Sequence, residues 1–128
     1  MVIKMDVLAW HYYTQKELRR IQAAGYIRPD EGDRIWFTTE TRYPTPEDLK
    51  DVRLAISVRH PAIRGVQYWR TIQKIDAKDE LEIAGPGQWF GTCQAIALSE
   101  LQVERFRDDR WQDQTEKRKR RSARLPPD

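Results

Sequence analysis

The first 25 residues predict a strand that runs into a capped helix. Residues 2–9 are rich in β-prone side chains and lead into an aromatic cluster at positions 10–13. Thr14 and Glu17 have the spacing of a capping box, in which each side chain accepts a hydrogen bond from the other residue's backbone N–H. Apolar side chains then recur at helical spacing until Gly25, a residue that readily takes the left-handed conformation at a helix end. We therefore expect a helix between Thr14 and Gly25.

The remaining pattern predicts mainly short strands. Thr45 followed by proline indicates the start of a short helix. Residues 62–75 are compatible with a helix or a strand, residues 77–80 with a polar loop, and residues 85–87 with a turn. Strands are expected at residues 35–39, 53–59, 89–96 and 101–106, the last of which turns at residues 108–109 into a second arm at residues 110–112. One early helix with several short strands indicates an α+β fold.

Composition narrows the class of protein. The chain has 128 residues, the size of one domain, and its five Trp, five Tyr and three Phe argue against disorder over most of its length. No apolar run approaches the roughly 18 residues of a membrane-spanning helix, and the N-terminus lacks the apolar stretch of a signal peptide. Cys93 is the single cysteine, which excludes a disulfide framework and indicates an inert side chain inside a strand. We therefore expect a cytoplasmic protein without a membrane partner.

The positive charge is concentrated at the C-terminus. Residues 115–128 carry six of the 23 basic and two of the 20 acidic residues, so residues 1–114 carry a net charge of −1. We therefore expect a single domain over residues 1–114 and a basic, disordered tail over residues 115–128. The tail is interpreted first as a solvated terminus that aids solubility. The alternative is that it binds nucleic acid through phosphate contacts, or an acidic partner.

Few residues of this sequence are candidates for catalysis, ligand binding or metal binding. The histidines are His11 and His60, and neither has a second ligand at metal-binding spacing, so no metal site is expected. His60 precedes a proline at a strand end and is interpreted as a loop residue. His11 stands where a strand meets a capped helix, a common place for a ligand-binding side chain, although packing among its aromatic neighbours would also explain it. Trp69 and Trp111 are interpreted as packing anchors.

Three segments, in this order, resemble the small ADP-ribosyltransferase-like fold. The first is Leu-Ala-Trp-His-Tyr-Tyr-Thr at residues 8–14, leading into a helix that ends Ala-Gly-Tyr-Ile-Arg-Pro at residues 24–29. The second is Arg-Ile-Trp-Phe-Thr-Thr at residues 34–39, and the third is Gln-Trp-Phe-Gly-Thr at residues 88–92 followed by Ala-Ile-Ala-Leu-Ser at residues 95–99. The same pattern is similar to small bacterial and phage proteins that begin with a Trp-His-Tyr-Thr-type motif.

The resemblance implies an NAD site. It implies split antiparallel β-sheets, with a capped helix after the first strand and NAD bound in the cleft between the sheets. His11 matches the histidine that hydrogen-bonds a ribose hydroxyl, Tyr13 and Trp36 would form walls beside a ring, and Thr38 would supply a hydroxyl contact. Gln88 stands nearest to the catalytic third-motif position, whose carboxylate stabilises the positive charge that develops when the glycosidic bond breaks.

The sequence departs from the family pattern at two positions. Tyr12 stands where many NAD-using members have glycine, and we expect it to crowd the approach of the nicotinamide amide. Gln88 replaces the catalytic glutamate, Glu82 is expected to be too far back along the chain to substitute for it, and Glu100 and Glu104 are expected to lie beyond the strand. The function therefore stays open between NAD-dependent ADP-ribosyl transfer and the binding of an NAD-like nucleotide without turnover. The alternative is a non-catalytic interaction module that acts through its tail.

Overall fold

The computed structural model describes residues 7–114, and the basic segment 115–128 lies outside the described residues. Within residues 7–114 the chain forms short strands and three short α-helices. The strands are β1 Leu8–Tyr13, β2 Tyr26–Ile27, β3 Ile35–Thr38, β4 Val52–Ser57, β5 Arg64–Gly65, β6 Trp89–Thr92, β7 Ile96–Ala97, β8 Gln102–Arg107 and β9 Arg110–Asp113. The helices are α1 Gln15–Ala24, α2 Val66–Thr71 and α3 Ala77–Glu82, with a 3-10 turn at Leu98–Glu100. The predicted α+β class is therefore confirmed.

Seven strands form one antiparallel sheet in the order β5-β6-β3-β1-β4-β8-β9, and β2 and β7 form a second, two-stranded sheet. β1 pairs with β4 along its whole length, from Leu8 opposite Ser57 to Tyr13 opposite Val52. On its other side β1 pairs with β3 at one position, Trp10 opposite Thr38. The large sheet is therefore weakly joined between β1 and β3, and this junction is where a cavity opens.

The large sheet carries a core on each face. Trp36 and Phe37 are successive residues of β3, so their side chains point to opposite faces. Phe37 lies in the larger core, which α1 covers through Leu18. Trp36 lies in a smaller core with Trp69 of α2 and other side chains that follow α3. The helices therefore flank the sheet on both sides, with α1 on one face and α2 and α3 on the other.

The predicted first helix and the terminal hairpin are confirmed. Thr14 Oγ1 accepts from the backbone N–H of Glu17, Glu17 Oε1 accepts from the backbone N–H of Thr14, and Gly25 ends α1 at a φ of 86°. The β8–β9 hairpin turns at Asp108 and Asp109, whose φ values of 54° and 61° are those of a type I′ hairpin turn. Both signals are local, so they act without help from the rest of the chain.

Several predicted boundaries were wrong. The first strand contains the aromatic cluster instead of preceding it, since β1 spans Leu8–Tyr13. The helix of one or two turns expected after Thr45 is a single turn, closed by side-chain to backbone hydrogen bonds of 3.0 and 3.3 Å between Thr45 and Asp48. Residues 77–80, expected as a loop, belong to α3, because Asp76 caps that helix by accepting from the backbone N–H of Asp79 at 2.9 Å. The ambiguous segment 62–75 holds β5 and α2.

The strand expected at residues 89–96 is divided. β6 stops at Thr92, whose hydroxyl accepts from the backbone N–H of Gln94 at 3.0 Å, and the chain bends there before β7. Ile96 then pairs with Ile27 in the small sheet. Cys93, expected as an inert residue inside a strand, is therefore an exposed residue of this bend.

Replacing Gly91 by Ala is expected to lower the free energy of unfolding by about 1–3 kcal/mol, the usual cost of overpacking a core. A Cβ at Gly91 would lie 2.7 Å from Trp36 Cζ3 and 3.0 Å from Trp69 Nε1, so both indoles would have to shift. Urea unfolding followed by tryptophan fluorescence measures the change. Gly65→Ala is the matched control, because a Cβ there meets only Phe90 at 3.9 Å. Equal stability of the two variants would contradict the prediction.

Candidate functional site

A cavity of about 270 Å³ opens beside the single β1–β3 pair. His11, Trp36 and Thr38, three of the five predicted site residues, line it. Tyr13 and Gln88 do not line this cavity, although Trp89, which follows Gln88, does. The structure thus gathers the first and second sequence motifs around one space and brings the third motif to its edge.

The imidazole of His11 bridges the gap between the two strands. Its Nδ1 lies 2.7 Å from the backbone oxygen of Trp36. A carbonyl oxygen only accepts, so Nδ1 carries the proton and Nε2 holds a free lone pair. Burial lowers the pKa of His11, so the neutral ring prevails at pH 7, and Nε2 has no hydrogen-bond partner among residues 7–114. Such a nitrogen is suited to accept a hydrogen bond from a ligand hydroxyl.

Trp36 forms a fixed wall of the cavity. Its side chain is 1% exposed, and its indole Nε1 donates to Asp79 Oδ1 of α3 at 3.0 Å. The ring of Trp69 meets it edge-on with the centroids 6.2 Å apart. Because its indole N–H is bonded and its ring is almost fully buried, Trp36 forms a fixed wall of the cavity and leaves little ring surface for a ligand.

Tyr12 forms another part of the cavity wall. Its hydroxyl donates to the backbone oxygen of Glu40 and accepts from the backbone N–H of Arg42, both at 2.9 Å. Its ring also meets Trp111 edge-on with the centroids 5.6 Å apart. Successive side chains of a strand point to opposite faces, so the Tyr12 ring leaves β1 on the face opposite to His11. Tyr12 therefore holds the segment after β3 in place while it lines the cavity, and the expected crowding of a nicotinamide amide stays a prediction.

The hydroxyl of Thr38 is largely occupied by the protein. It accepts from the backbone N–H of Glu40 at 3.1 Å and lies 3.4 Å from the backbone oxygen of Pro86, to which it donates. Thr38 is buried and ties β3 to the turn that precedes β6. One acceptor lone pair is left for the ligand contact expected from the sequence.

Gln88 is exposed and lies at the start of the third motif without reaching the cavity lining. Its backbone N–H donates to Thr39 Oγ1 at 2.9 Å, and its backbone oxygen accepts from the Thr39 N–H at 3.0 Å. These bonds fix its main chain beside β3. Its side-chain amide has no hydrogen-bond partner among the residues that the structure describes.

Tyr13 lies behind His11 and faces a second space. The centroids of the two rings are 4.7 Å apart, so they pack directly on each other. Tyr13 lines an open groove of about 1010 Å³ that also runs past Arg20, Arg28 and Arg34. His11 therefore lines the smaller cavity, and Tyr13, which packs on it, lines the larger groove.

Charged side chains surround the smaller cavity. Arg42 and Lys50 supply positive charge, and Asp48 and Glu82 supply negative charge. Arg42 is exposed and borders the cavity, with its guanidinium 5.4 Å from the centre of the Trp89 ring. Glu82, expected to be too far back along the chain to substitute for the third-motif residue, lies at the end of α3 and lines the cavity.

A buried ion pair packs against Trp10, one of the residues that line the cavity. Arg53 of β4 and Glu104 of β8 are opposite each other in the sheet, and Arg53 Nη2 lies 2.7 Å from Glu104 Oε1. The guanidinium lies between the rings of Trp10 and Trp111, 4.1 and 4.4 Å from their centres. Glu104 lies beyond the third-motif strand, as expected, and is a buried residue of β8. In the sequence, Arg53 and Glu104 alternate with apolar residues of their strands, a pattern that predicts solvent-facing side chains and not a buried ion pair.

His60 lies in the turn expected from the sequence. Its Nδ1 accepts from the backbone N–H of Ala62 at 3.0 Å, so Nε2 carries the proton and donates to Glu100 at 2.9 Å. These bonds close the turn after β4, and His60 is remote from the cavity lining.

Comparison of the chain with protein-family models, curated proteins and solved structures finds no match. Within residues 7–114, no three or more His, Cys, Asp or Glu side chains are grouped so that they could hold a metal ion. None of the helices that the structure describes has both the length and the apolar character needed to cross a membrane.

Proposed function

We propose that this protein binds NAD or an NAD-like dinucleotide in the cavity beside His11, within an ADP-ribosyltransferase-like fold. The observation that carries the proposal is the free Nε2 of His11. Its tautomer is set by the Trp36 carbonyl, and the ring borders a cavity with aromatic walls. A ribose hydroxyl would donate to this nitrogen, while the adjoining ring would pack between aromatic side chains.

The proposed dinucleotide would place one nucleoside in each of two spaces that share no lining residue. The cavity of about 270 Å³ is at the small end of ligand pockets and would hold one ring with its sugar. The groove of about 1010 Å³ that Tyr13 lines has room for the second nucleoside. Arg20 and Arg28 border that groove and would attract the pyrophosphate.

The weak β1–β3 junction supports the finer fold proposal. In a regular antiparallel ladder the Trp10–Thr38 pair would be followed by Tyr12 opposite Trp36. Instead the His11 side chain donates a hydrogen bond to the backbone oxygen of Trp36. The strands thus begin to separate at the histidine, as a cleft between split sheets requires. The interaction-module alternative depends on residues 115–128, which lie outside the described residues.

NAD titration of the wild-type protein is expected to quench tryptophan fluorescence, because Trp36 and Trp89 line the cavity. His11→Ala is expected to weaken binding about tenfold, the effect of one lost hydrogen bond of about 1.4 kcal/mol. His60→Ala is the matched control and should bind NAD like the wild type, since His60 does not line the cavity. Saturating NAD that changes neither the fluorescence nor the melting temperature would refute the proposal.

A further inference from the structure

Glu82 is an acid of the cavity whose carboxylate has no partner. It is the last residue of α3 and lines the same cavity as His11. Among residues 7–114 its carboxylate has no hydrogen-bond or ion-pair partner. A solvent-facing acid at a helix C-terminus gains nothing from the helix dipole, whose negative end is there. Neither a hydrogen-bond partner nor the helix dipole stabilises the carboxylate at this position.

The other acid of the cavity is already occupied. Asp48 Oδ1 accepts from the backbone N–H groups of Thr45 and Lys50, both at 3.0 Å, which makes it part of a turn. Glu80, which lies two residues before Glu82 on α3, pairs with Arg70 at 2.8 Å and points elsewhere. Within the described residues, Glu82 is thus the cavity carboxylate that stays available to a ligand.

The place of Glu82 is fixed by the buried part of its helix. Asp79 Oδ1 accepts from Trp36 Nε1 at 3.0 Å, and Asp79 Oδ2 accepts from Arg34 at 2.8 Å. The residue that anchors α3 therefore binds the indole that walls the cavity, and Glu82 follows it by three positions, on the same side of the helix. Partial burial, followed by the nearby charge of Asp79, raises the pKa of Glu82, while the charges of Lys78 and Lys50 act in the opposite direction without reversing the shift.

We propose that Glu82 is the carboxylate that faces the positively charged nicotinamide ring of NAD and stabilises the ribosyl cation formed from it, a role that Gln88 cannot fill. The inference rests on the proposed NAD site. In the reaction the bond between C1′ and the ring nitrogen breaks, and its electron pair leaves with nicotinamide, which becomes neutral. The oxygen of a water molecule forms the new bond to C1′ and loses a proton to the Glu82 carboxylate and then to solvent. The products are ADP-ribose, nicotinamide and one proton.

The position of the charge explains why a glutamate from another element can serve. A ribosyl cation is stabilised by any carboxylate held near it in a partly desolvated site, whichever strand or helix carries that group. Arg42 and Lys50 border the cavity as well, and without Glu82 they would disfavour a cationic ring there. Glu82 therefore also favours NAD over its reduced form, whose nicotinamide ring is neutral.

The experiment compares the wild type with Glu82→Gln and with the control Glu47→Gln, an exposed acid that does not line the cavity. Affinities for NAD and NADH are measured by tryptophan fluorescence, and free nicotinamide is measured after incubation with NAD. Glu82→Gln should bind NAD about tenfold more weakly with little change for NADH, and it should release nicotinamide at least about 100-fold more slowly. Glu47→Gln should match the wild type in each measurement. Circular dichroism checks that all three proteins are folded.

The outcomes separate the two proposals. If the wild type binds neither nucleotide, the NAD site itself is wrong. If the wild type binds NAD and Glu82→Gln matches it in affinity, in the preference over NADH and in nicotinamide release, the role of Glu82 is overturned while the site stands. If NAD binds but the wild type releases no nicotinamide, the catalytic part of the inference is likewise overturned.

Discussion

Replacing Glu104 by Ala is expected to lower the free energy of unfolding by about 3–5 kcal/mol, the cost of breaking a buried ion pair. The change leaves Arg53, which is 6% exposed, without its counterion. It also removes the acceptor of the Trp10 indole N–H at 3.3 Å and of the Gln102 side chain at 2.9 Å. The two tryptophan rings that enclose the guanidinium exclude the water that would otherwise solvate it.

Urea unfolding measured by far-ultraviolet circular dichroism gives this change. The double variant Arg53→Met/Glu104→Leu is the matched control, since it removes both charges and keeps apolar volume in the same place. We expect it to recover much of the loss, because isosteric apolar replacement of a buried pair is often neutral or stabilising. A double variant that is less stable than Glu104→Ala would show that the pair contributes more than the avoidance of one unpaired charge.

The parts of the fold that were predictable are those determined by a few adjacent residues. Thr14, Glu17 and Gly25 determine both ends of α1 through hydrogen bonds and a left-handed φ, so their spacing in the sequence was sufficient. Asp108 and Asp109 likewise determine the last hairpin. These elements need no distant contact to be recognised.

Other elements depend on contacts between distant segments. A six-residue helix such as α3 is too short to be stable alone, and it forms because Asp79 contacts Trp36 and Arg34, more than 40 positions away. The pairing of Ile96 with Ile27 explains why the third motif is divided between two sheets. Neither contact leaves a periodic pattern in the sequence, so a loop was expected in one place and an uninterrupted strand in the other.

The candidate site shows the same division. His11, Trp36 and Thr38 were identified from motifs, and they line one cavity because β1 and β3 are neighbours in the sheet. Glu82 was dismissed because it lies far from Gln88 in the expected strand register. Its place depends on α3, which sequence periodicity did not reveal, although Asp76 followed by Asp79 is a recognisable capping pattern.

One carboxylate links the stability of the fold to the geometry of the cavity. Asp79 is 4% exposed, and its two oxygens bind the wall of the cavity and a cation on the adjoining loop. Movement of α3 away from the sheet would therefore displace Glu82 and uncover one side of Trp36 together. The strength of this anchor decides whether the cavity is held open in the shape that a ligand requires.

Replacing Asp79 by Ala is expected to lower the free energy of unfolding by about 3 kcal/mol, because it leaves a buried indole N–H and a largely buried guanidinium unpaired. The loss of Asp79 is especially costly for Arg34, because the Nε of Arg34 is buried and already lacks a hydrogen-bond partner. Trp36→Phe leaves the Arg34 pair intact and should cost about 1–2 kcal/mol for the lost hydrogen bond, in addition to the cost of the cavity that the smaller ring leaves in the core. Urea unfolding measures both changes.

Lys78→Ala is the matched control on the same helix, because Lys78 is exposed and its distance from Asp33 is 3.4 Å. Its unfolding midpoint should stay at the wild-type value, as expected for a solvent-screened pair. NAD titration of the same variants should show weaker binding for Asp79→Ala and unchanged binding for Lys78→Ala. If Asp79→Ala is as stable as Lys78→Ala, the carboxylate does not anchor α3, and the helix must be held by the apolar contacts of Ile83 with the smaller core.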